Sequence, residues 1–334
     1  MTEGIIWAIS AGLMLGVYAL PEKYTKGFQF ENTWGLFFVL TMFIVPIIAS
    51  FVLIDGFSAV LASVPQGVLV KMAIASFLWG TGVMMWGKAI NHIGLSLGFS
   101  LFIGTVILVG SLLPFFVEGL PNTNTFLVIM AGILVVLLGV IANGKAGLIR
   151  EKDSGKDDGE RGSMSVGISI AVGGGLLATG FSYANAVGRH YLHQASQALG
   201  NPEWVTAVAV MFPIFVSGGI AMTVYFLWQL TQKQAWGHFR TSHFAKNFLL
   251  ILVMAVFHYA ASAIFAYAAF TLGDLGNTIG YAIYNTASVA TAIVMGILTK
   301  EWIEASLGAK RLLWISLSCM VLGIVIVAIG NGMG

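Results

Sequence analysis

One histidine stands in the middle of a long apolar stretch, where an ionisable side chain is costly. His258 lies in Val256-Phe-His-Tyr-Ala260, about half-way along a run long enough to cross a membrane. Ionisable groups at this depth are functional candidates by default. Because histidine titrates near neutral pH and forms hydrogen bonds, this one suits proton coupling or sugar binding. A neutral histidine bonded to a neighbouring helix fits the sequence equally well.

Uncharged polar and aromatic side chains that suit a sugar recur in the apolar segments of both halves. A sugar presents hydroxyl groups to amides and phenols, and a weakly apolar face to aromatic rings, and buried polar groups need partners. Taken singly, each aromatic residue is more simply explained by packing or by anchoring at the membrane surface. Taken together, they predict the lining of a central polar cavity. The predicted lining residues are Tyr18, Trp79, Trp86, Asn185, His258, Tyr281, Tyr284 and Asn285.

Residue patterns for catalysis or metal binding are weak. His190 and His193 are three residues apart and share a helix face, but no carboxylate or cysteine is placed to complete a metal site. The sequence contains no phosphate loop, no HExxH and no GxSxG motif. We therefore expect no catalytic residue, no metal and no cofactor, and we predict that the protein is not an enzyme.

The composition is that of a protein embedded in lipid. Of the 334 residues, 58% are hydrophobic and 9% are charged, against about 25% charged residues in soluble domains. The mean hydropathy of +0.90 agrees with this. The formal net charge of +2 gives no reason to expect a nucleic-acid partner. The single cysteine, Cys319, excludes a disulfide within the chain.

Ten apolar runs are long enough to form membrane-spanning helices. The shortest is the first, and only Asn91 and His92 separate the third from the fourth. The predicted helices lie near residues 4–20, 33–54, 68–90, 93–117, 123–142, 165–188, 203–230, 247–271, 277–298 and 310–331.

A single strongly polar stretch divides the ten runs into two sets of five. Residues 145–161 hold ten of the thirty charged residues, with both signs mixed and several glycines. This pattern favours a flexible, solvated linker, with a regulatory segment as the alternative. The predicted organisation is a first five-helix repeat over 1–142, a charged cytoplasmic linker over 143–164 and a second repeat over 165–334.

The distribution of Lys and Arg predicts the orientation. Fourteen of the sixteen fall in the odd-numbered loops, and neither terminus holds any. The positive-inside rule then places the odd-numbered loops in the cytoplasm and both termini outside. Five tryptophans at helix ends predict an interfacial belt. They are Trp34, Trp204, Trp228, Trp302 and Trp314.

Short matches between the halves suggest an internal repeat. Gly94-Leu-Ser-Leu-Gly98 opens the fourth run and Gly276-Asn-Thr-Ile-Gly280 opens the ninth, while Ile141-Ala-Asn-Gly144 resembles Ile329-Gly-Asn-Gly332. Because five helices is an odd number, related halves must have inverted topology, as in many transporters. The fold class we predict is an all-α membrane protein of ten helices in two inverted repeats. The many glycines are explained by close helix packing, and backbone flexibility for alternating access is a compatible second role.

Several of these motifs resemble the bacterial L-rhamnose–proton symporter family of the drug/metabolite transporter superfamily. In the first half they are Trp79-Gly80-x-Gly82, Gly87 and Gly94-x-Ser96-x-Gly98. In the second half they are Ser182, Asn185, His193, Ala198-Leu-Gly200, Gly218-Gly219 and Lys300-Glu-Trp302. The resemblance extends at low identity along nearly the whole chain and implies a ten-helix inverted-repeat carrier that imports a deoxy-sugar with a proton.

Together, the residues and the resemblance predict a secondary transporter of the bacterial inner membrane. It would import a monosaccharide, L-rhamnose or a related deoxy-sugar, by proton symport with alternating access. His258, or alternatively an outer carboxylate, would couple the proton. The expected partners are the sugar, the proton and membrane lipid; monomer and dimer both stay open. The alternatives are an exporter or exchanger of another small metabolite, and a sugar sensor that does not transport.

Overall fold

The computed structural model describes residues 2–153 and 163–333 and forms only helices, turns and loops there. Ten of its helices are long and apolar enough to cross a membrane. They are α1 (Thr2–Tyr24), α2 (Phe30–Leu53), α3 (Gln66–Gly94), α4 (Ser96–Val117), α5 (Thr123–Asp153), α6 (Met164–Ala198), α7 (Val205–Gln232), α8 (Phe244–Thr271), α9 (Gly276–Leu298) and α10 (Leu307–Gly330). Each overlaps one predicted run, so ten candidate spans are confirmed within the described residues.

Several of these helices are interrupted, and short helices occupy some of the loops. In α1, the α-helix ends at Val17 and a 3₁₀ turn follows at Leu20–Tyr24. A π-helical turn interrupts α2 at Leu40–Ile44, and Thr179 separates two α-helical parts of α6. The loop segments are a short α-helix at Phe57–Ser63 and 3₁₀ turns at Ala235–Phe239 and Gly273–Leu275.

The turn between α3 and α4 is very tight and centres on Gly94. This residue has φ 76° and ψ 167°, a conformation that side chains disfavour, so glycine suits the position. The turn comes just after Asn91 and His92, the two residues from which it was predicted.

The polar stretch between the halves is partly helical. Helix α5 continues through Asp153 and so includes the first part of the predicted linker over 143–164. Gly144 and Gly147 lie against Ser100 and Ser96 of α4, and the sequence after them is rich in good helix formers. These contacts explain why the helix does not end where the charges begin. Residues 154–162 of the predicted linker lie outside the described residues.

Glycines let α3 approach two helices of the second half. A Cβ atom at Gly80 would lie 2.2 Å from the Gly218 carbonyl oxygen of α7. A Cβ atom at Gly82 would lie 2.3 Å from the Gly174 carbonyl oxygen of α6. Such approach is possible only with small residues, as the packing interpretation of the glycines requires. Through these contacts the two halves of the chain form one bundle.

Two of the five tryptophans predicted to form an interfacial belt instead point into the protein. Trp204, Trp228 and Trp314 are about half exposed or more, as lipid anchors would be. Trp302 is only 9% exposed, and the half-buried Trp34 donates a hydrogen bond to Glu22.

Candidate functional site

His258 stands at the centre of a contact between α1, α2, α7 and α8. Its Nδ1 lies 3.1 Å from the Thr41 hydroxyl of α2, which is also within 3.2 Å of the Ala255 carbonyl oxygen. The imidazole centre is 5.0 Å from the Tyr18 ring and 5.5 Å from the rings of Phe37 and Phe215. A polar partner and three aromatic walls therefore surround this mid-helix ionisable group.

The π-helical turn of α2 includes Thr41. Pro46 follows the turn and has no backbone N–H, so the usual bond to the Met42 carbonyl cannot form. Within the turn the Val45 N–H instead bonds back to the Leu40 carbonyl, five residues earlier. π-helical turns of this kind are frequent at functional sites.

Aromatic rings extend the cluster from His258 to α3, α6 and α9. Phe215 contacts Trp79 at 5.6 Å between ring centres, and Trp79 contacts Phe181 at 5.1 Å. Phe181 in turn lies 6.2 Å from the Tyr281 ring and 5.9 Å from the Phe265 ring. Through these rings the cluster joins both halves of the sequence.

Tyr284 completes the cluster and connects it back to α8. Its ring stacks on Phe265 at 4.8 Å, and its hydroxyl lies 3.3 Å from the Ser262 hydroxyl. Ser262 also donates to the His258 carbonyl oxygen at 3.1 Å. Five predicted residues, Tyr18, Trp79, His258, Tyr281 and Tyr284, are therefore brought together, and we name this set with its linking phenylalanines the central cluster.

Asn185 lies one helical turn beyond Phe181 and faces a cleft between α6, α7 and α8. It is fully buried, and its amide donates to the Oδ1 of Asn277, also fully buried, at the start of α9. The Asn185 Oδ1 has no hydrogen-bond partner among the described residues. The cleft is narrow, with a volume of about 10 Å³, and its lining includes Asn185, Arg189, Glu203, Thr206, Tyr267 and Phe270.

The cleft occupies the end of the bundle that carries the α6–α7 and α8–α9 loops. We name this the outer end, after the side on which those loops are predicted, and the opposite end the inner end. Arg189 donates to the carbonyl oxygens of Ala269 and Gly273 at 2.9 and 3.2 Å, which ties α6 to the end of α8.

Trp86 and Asn285 are not brought into the central cluster. Trp86 packs on Phe99 and Phe102 of α4 at 5.8 Å, and its buried indole N–H has no hydrogen-bond partner in the described part of the chain. The Asn285 amide donates to the Tyr281 carbonyl of its own helix at 2.9 Å.

Charged side chains cross-link the inner end. Lys23, in the 3₁₀ turn that ends α1, pairs with Glu301, which follows α9, and also donates to the Thr299 hydroxyl. Arg150 of α5 lies 3.8 Å from the second Glu301 oxygen and 4.5 Å over the Trp302 ring. The hydrogen bond from Lys23 lowers the pKa of the Glu301 carboxyl below its ordinary value. We name Lys23, Arg150, Glu301 and Trp302 the inner charge cluster.

Sequence reasoning missed Thr41, Ser262, Asn277 and the phenylalanines that link the central cluster. A hydroxyl or phenyl group in an apolar helix is common, so none of these residues stands out by type. Pro46 was a usable signal for α2, because a proline inside a helix predicts a local change of hydrogen bonding. No comparable signal marks Asn277.

Ten membrane-length helices in the described residues, around a buried polar and aromatic cluster, define a multi-pass membrane transporter. The family model of the L-rhamnose-proton symport protein matches residues 1–334. The chain belongs to this family, whose members are transporters of the bacterial inner membrane and not enzymes.

Proteins named L-rhamnose-proton symporter match this chain over its full length. An L-rhamnose-proton symporter of Citrobacter koseri is 25% identical over 344 aligned residues, which cover 100% of this chain and 98% of the relative. Symporters of Escherichia coli O1:K1 / APEC and Shigella boydii serotype 18 are 24% and 25% identical with the same coverage.

Proposed function

We propose that this protein imports L-rhamnose or a related deoxy-sugar together with a proton. Membership of the symport family supports the reaction. In this chain, the observation that best supports the proposed reaction is the contact of His258 with Thr41 and Tyr18 inside the bundle. It joins an ionisable group to a hydroxyl and a phenol, which are side chains that bind protons and sugars.

The sugar is proposed to bind between the outer cleft and the central cluster. Its hydroxyl groups would pair with the free Asn185 oxygen and with the Tyr284 hydroxyl, since buried polar groups favour partners. Its less polar face would lie on the rings of the cluster. The proposed contact residues are Tyr18, Trp79, Asn185, His258, Tyr281 and Tyr284.

The proton is proposed to bind the His258 imidazole. Its close contact with Thr41 holds the ring orientation, and the hydroxyl can accept from a protonated Nδ1 or donate to a neutral one. A charge formed there is costly at membrane depth unless a partner accompanies it. Bound sugar would therefore favour binding of the proton, and a bound proton would favour binding of the sugar.

We further propose that the two halves are inverted repeats. Gly12 of α1 lies against the Tyr284 carbonyl and Ala287 of α9, and Gly175 of α6 lies against the Phe102 carbonyl and Thr105 of α4. Each glycine thus meets a carbonyl and the side chain three residues later. In an inverted repeat of five helices, α1 corresponds to α6 and α4 corresponds to α9. The contact of α1 with α9 is therefore equivalent to that of α6 with α4, and their likeness supports the repeat.

The contact of α5 with α10 also supports the repeat. Gly132 lies against Val327 and the Gly323 carbonyl, and Gly323 lies against Val136 and the Gly132 carbonyl. A pair of helices related by a two-fold axis makes reciprocal contacts of this kind.

The positive-inside distribution supports an orientation with the inner end in the cytoplasm and both termini outside. The ion pairs at the inner end are proposed to keep that end closed, as in an outward-facing state. Alternating access would require the inner charge cluster to separate as the outer cleft closes.

Uptake of radiolabelled L-rhamnose into proteoliposomes tests the proposal. At one proton per sugar, an inward gradient of about one pH unit supports about tenfold accumulation, since one unit corresponds to about 1.4 kcal/mol. We expect such accumulation, and we expect a protonophore to collapse it. Folded protein that takes up no rhamnose would contradict the substrate assignment.

His258→Gln tests the proton site in the same assay. We expect accumulation to fall to the equilibrium level while exchange of labelled for unlabelled sugar persists, because glutamine keeps a hydrogen-bonding group but cannot titrate. His238→Gln, at an exposed position in the Ala235–Phe239 turn, is the matched control and should behave as the wild type. Undiminished accumulation by His258→Gln would exclude this residue as the proton carrier.

A further inference from the structure

Glu22 is a carboxylate at the inner end of α1 that the proposed mechanism does not yet use. It lies in the 3₁₀ turn Leu20–Tyr24, which Pro21 opens, and its side chain is half-buried. The turn is held by the Thr25 N–H and hydroxyl, which both donate to the Glu22 carbonyl oxygen at 3.0 and 2.8 Å. The backbone at Glu22 is thereby held in a defined conformation.

The Glu22 carboxylate is linked to the central cluster through two aromatic residues. Its Oε1 accepts a 2.7 Å hydrogen bond from the Trp34 indole N–H of α2. The Trp34 ring lies 6.3 Å from the Tyr18 ring, and Tyr18 precedes Glu22 by four residues in α1. Because Tyr18 contacts the His258 imidazole, two residues, Trp34 and Tyr18, connect this carboxylate to the proposed proton site.

The positive charges near Glu22 are engaged by other acids. Lys23 pairs with Glu301, and Lys233 pairs with Glu31 of α2. Within residues 2–153 and 163–333, no lysine or arginine forms an ion pair with Glu22. A carboxylate with a neutral indole partner and no cation is free to bind and release a proton, whereas a paired carboxylate is held in its charged form.

The corresponding position of the second half holds an amide. Glu22 follows Gly12 by ten residues, and Asn185 follows Gly175 by ten residues, where the two glycines make the equivalent contacts described above. The pair therefore consists of a titratable group near the inner end and a non-titratable one near the outer end. This asymmetry is expected when protons must leave toward one side only.

We propose that Glu22 is a second proton carrier, which receives the proton that entered with the sugar and releases it at the inner end. The proton passes by a relay through the Tyr18 hydroxyl and intervening water. An N–H bond of the protonated His258 imidazole breaks, the relay group gains one proton and gives up another, and an O–H bond forms on the Glu22 carboxylate. The carboxyl group then loses the proton to water on the inner side. The inference rests on the proposed symport function and adds its exit route.

Glu22→Gln in proteoliposomes tests this route with three readouts: rhamnose accumulation, acidification of the vesicle lumen and sugar exchange. Glutamine can still accept from Trp34 but cannot carry the proton. We expect accumulation and sugar-driven acidification to be lost and exchange to stay within twofold of the wild type. Exchange should also lose its dependence on pH at the inner face, which a purely structural role would not alter. Glu22→Asp should restore both proton-dependent readouts in part.

The control is Glu304→Gln, which removes an exposed inner-end carboxylate and should change nothing. Wild-type accumulation by Glu22→Gln would overturn the inference and leave the symport function standing. Loss of exchange together with accumulation, with Glu22→Asp equally inactive, would also overturn it by indicating a structural role. Absence of rhamnose uptake by the wild type would instead contradict the proposed function itself.

Discussion

The outer and inner ends of the bundle differ in the polar contacts that join their helices. At the outer end, the amides of Asn185 and Asn277 pair beside a narrow cleft of about 10 Å³. Its lining also includes Thr206 and the charged side chains of Arg189 and Glu203. The inner end instead has cross-links between charged side chains: Lys23 with Glu301, and Lys233 with Glu31. Neutral amides and hydroxyls suit a neutral sugar, whereas ion pairs suit a contact that must form and separate.

The polar contacts at the two ends also differ in how much they contribute to the free energy. Asn185 and Asn277 are fully buried, so leaving one of them without a partner is costly. Lys23 and Glu301 are more than 40% exposed, so water and salt weaken their attraction. We infer that the outer amides determine substrate affinity. The inner charge cluster, in contrast, only shifts the equilibrium between a closed and an open inner end.

The largest effect is expected at the outer amide pair. Asn185→Leu removes the hydrogen-bonding group at nearly constant volume and leaves Asn277 without that partner. Because such a loss costs about 1–3 kcal/mol, we expect rhamnose affinity to fall about 10- to 100-fold. Equilibrium binding by calorimetry measures this.

Thr286→Val is the matched control for Asn185→Leu. Among the described residues, its buried hydroxyl bonds only to the Ala282 carbonyl of its own helix, at 2.6 Å, so affinity should stay close to that of the wild type. Equal effects of the two substitutions would remove the distinction between the outer amides and ordinary buried polar groups.

A smaller difference is expected in access to the two ends. Thr206 lines the outer cleft and Thr33 lies at the inner end, and both are at most 4% exposed. In a Cys319→Ser background, we expect Thr206→Cys to react roughly tenfold faster with a small maleimide than Thr33→Cys, because thiol modification needs access. Reaction at similar rates would indicate that the cleft does not distinguish the ends.

The smallest effect is expected at the inner charge cluster. Glu301→Gln removes pairs with Lys23 and Arg150, and partly exposed pairs contribute about 0.2–1 kcal/mol. We expect labelling of Thr33→Cys to accelerate by less than about fivefold, with Glu304→Gln again as the control. No acceleration at low salt would show that these charges do not bias the inner end.

The same cluster has a defined pH dependence. Because the folded-state pKa of Glu301 is lowered, its contribution is complete above the ordinary glutamate pKa of about 4.3 and disappears as the pH falls through the lower folded value. Labelling of Thr33→Cys should therefore not change through this group between about pH 6 and 8. A change in that window that Glu301→Gln abolishes would contradict the assignment.

Much of the site was predictable from residue type and depth, but its arrangement was not. Tyr18, Trp79, His258, Tyr281 and Tyr284 were predicted as lining residues and do form one cluster. Trp86 follows Trp79 by seven residues on the same helix face, yet it packs on α4 because the Gly94 turn folds α4 back against it. Helix periodicity describes one helix and does not say which neighbour covers each part of its face.

The amino-acid sequence by itself determined the ten membrane-length helices, the turn near residue 92 and the resemblance to a symporter family. These properties depend on local composition and length, because an apolar run of about 20 residues suits a lipid bilayer whatever its neighbours are. Only the tertiary structure decided that Thr41 meets His258, that Asn185 meets Asn277, and that Glu22 accepts a hydrogen bond from Trp34 of α2. Those contacts join segments far apart in sequence, and they depend on helix rotations that glycines such as Gly12 and Gly175 permit.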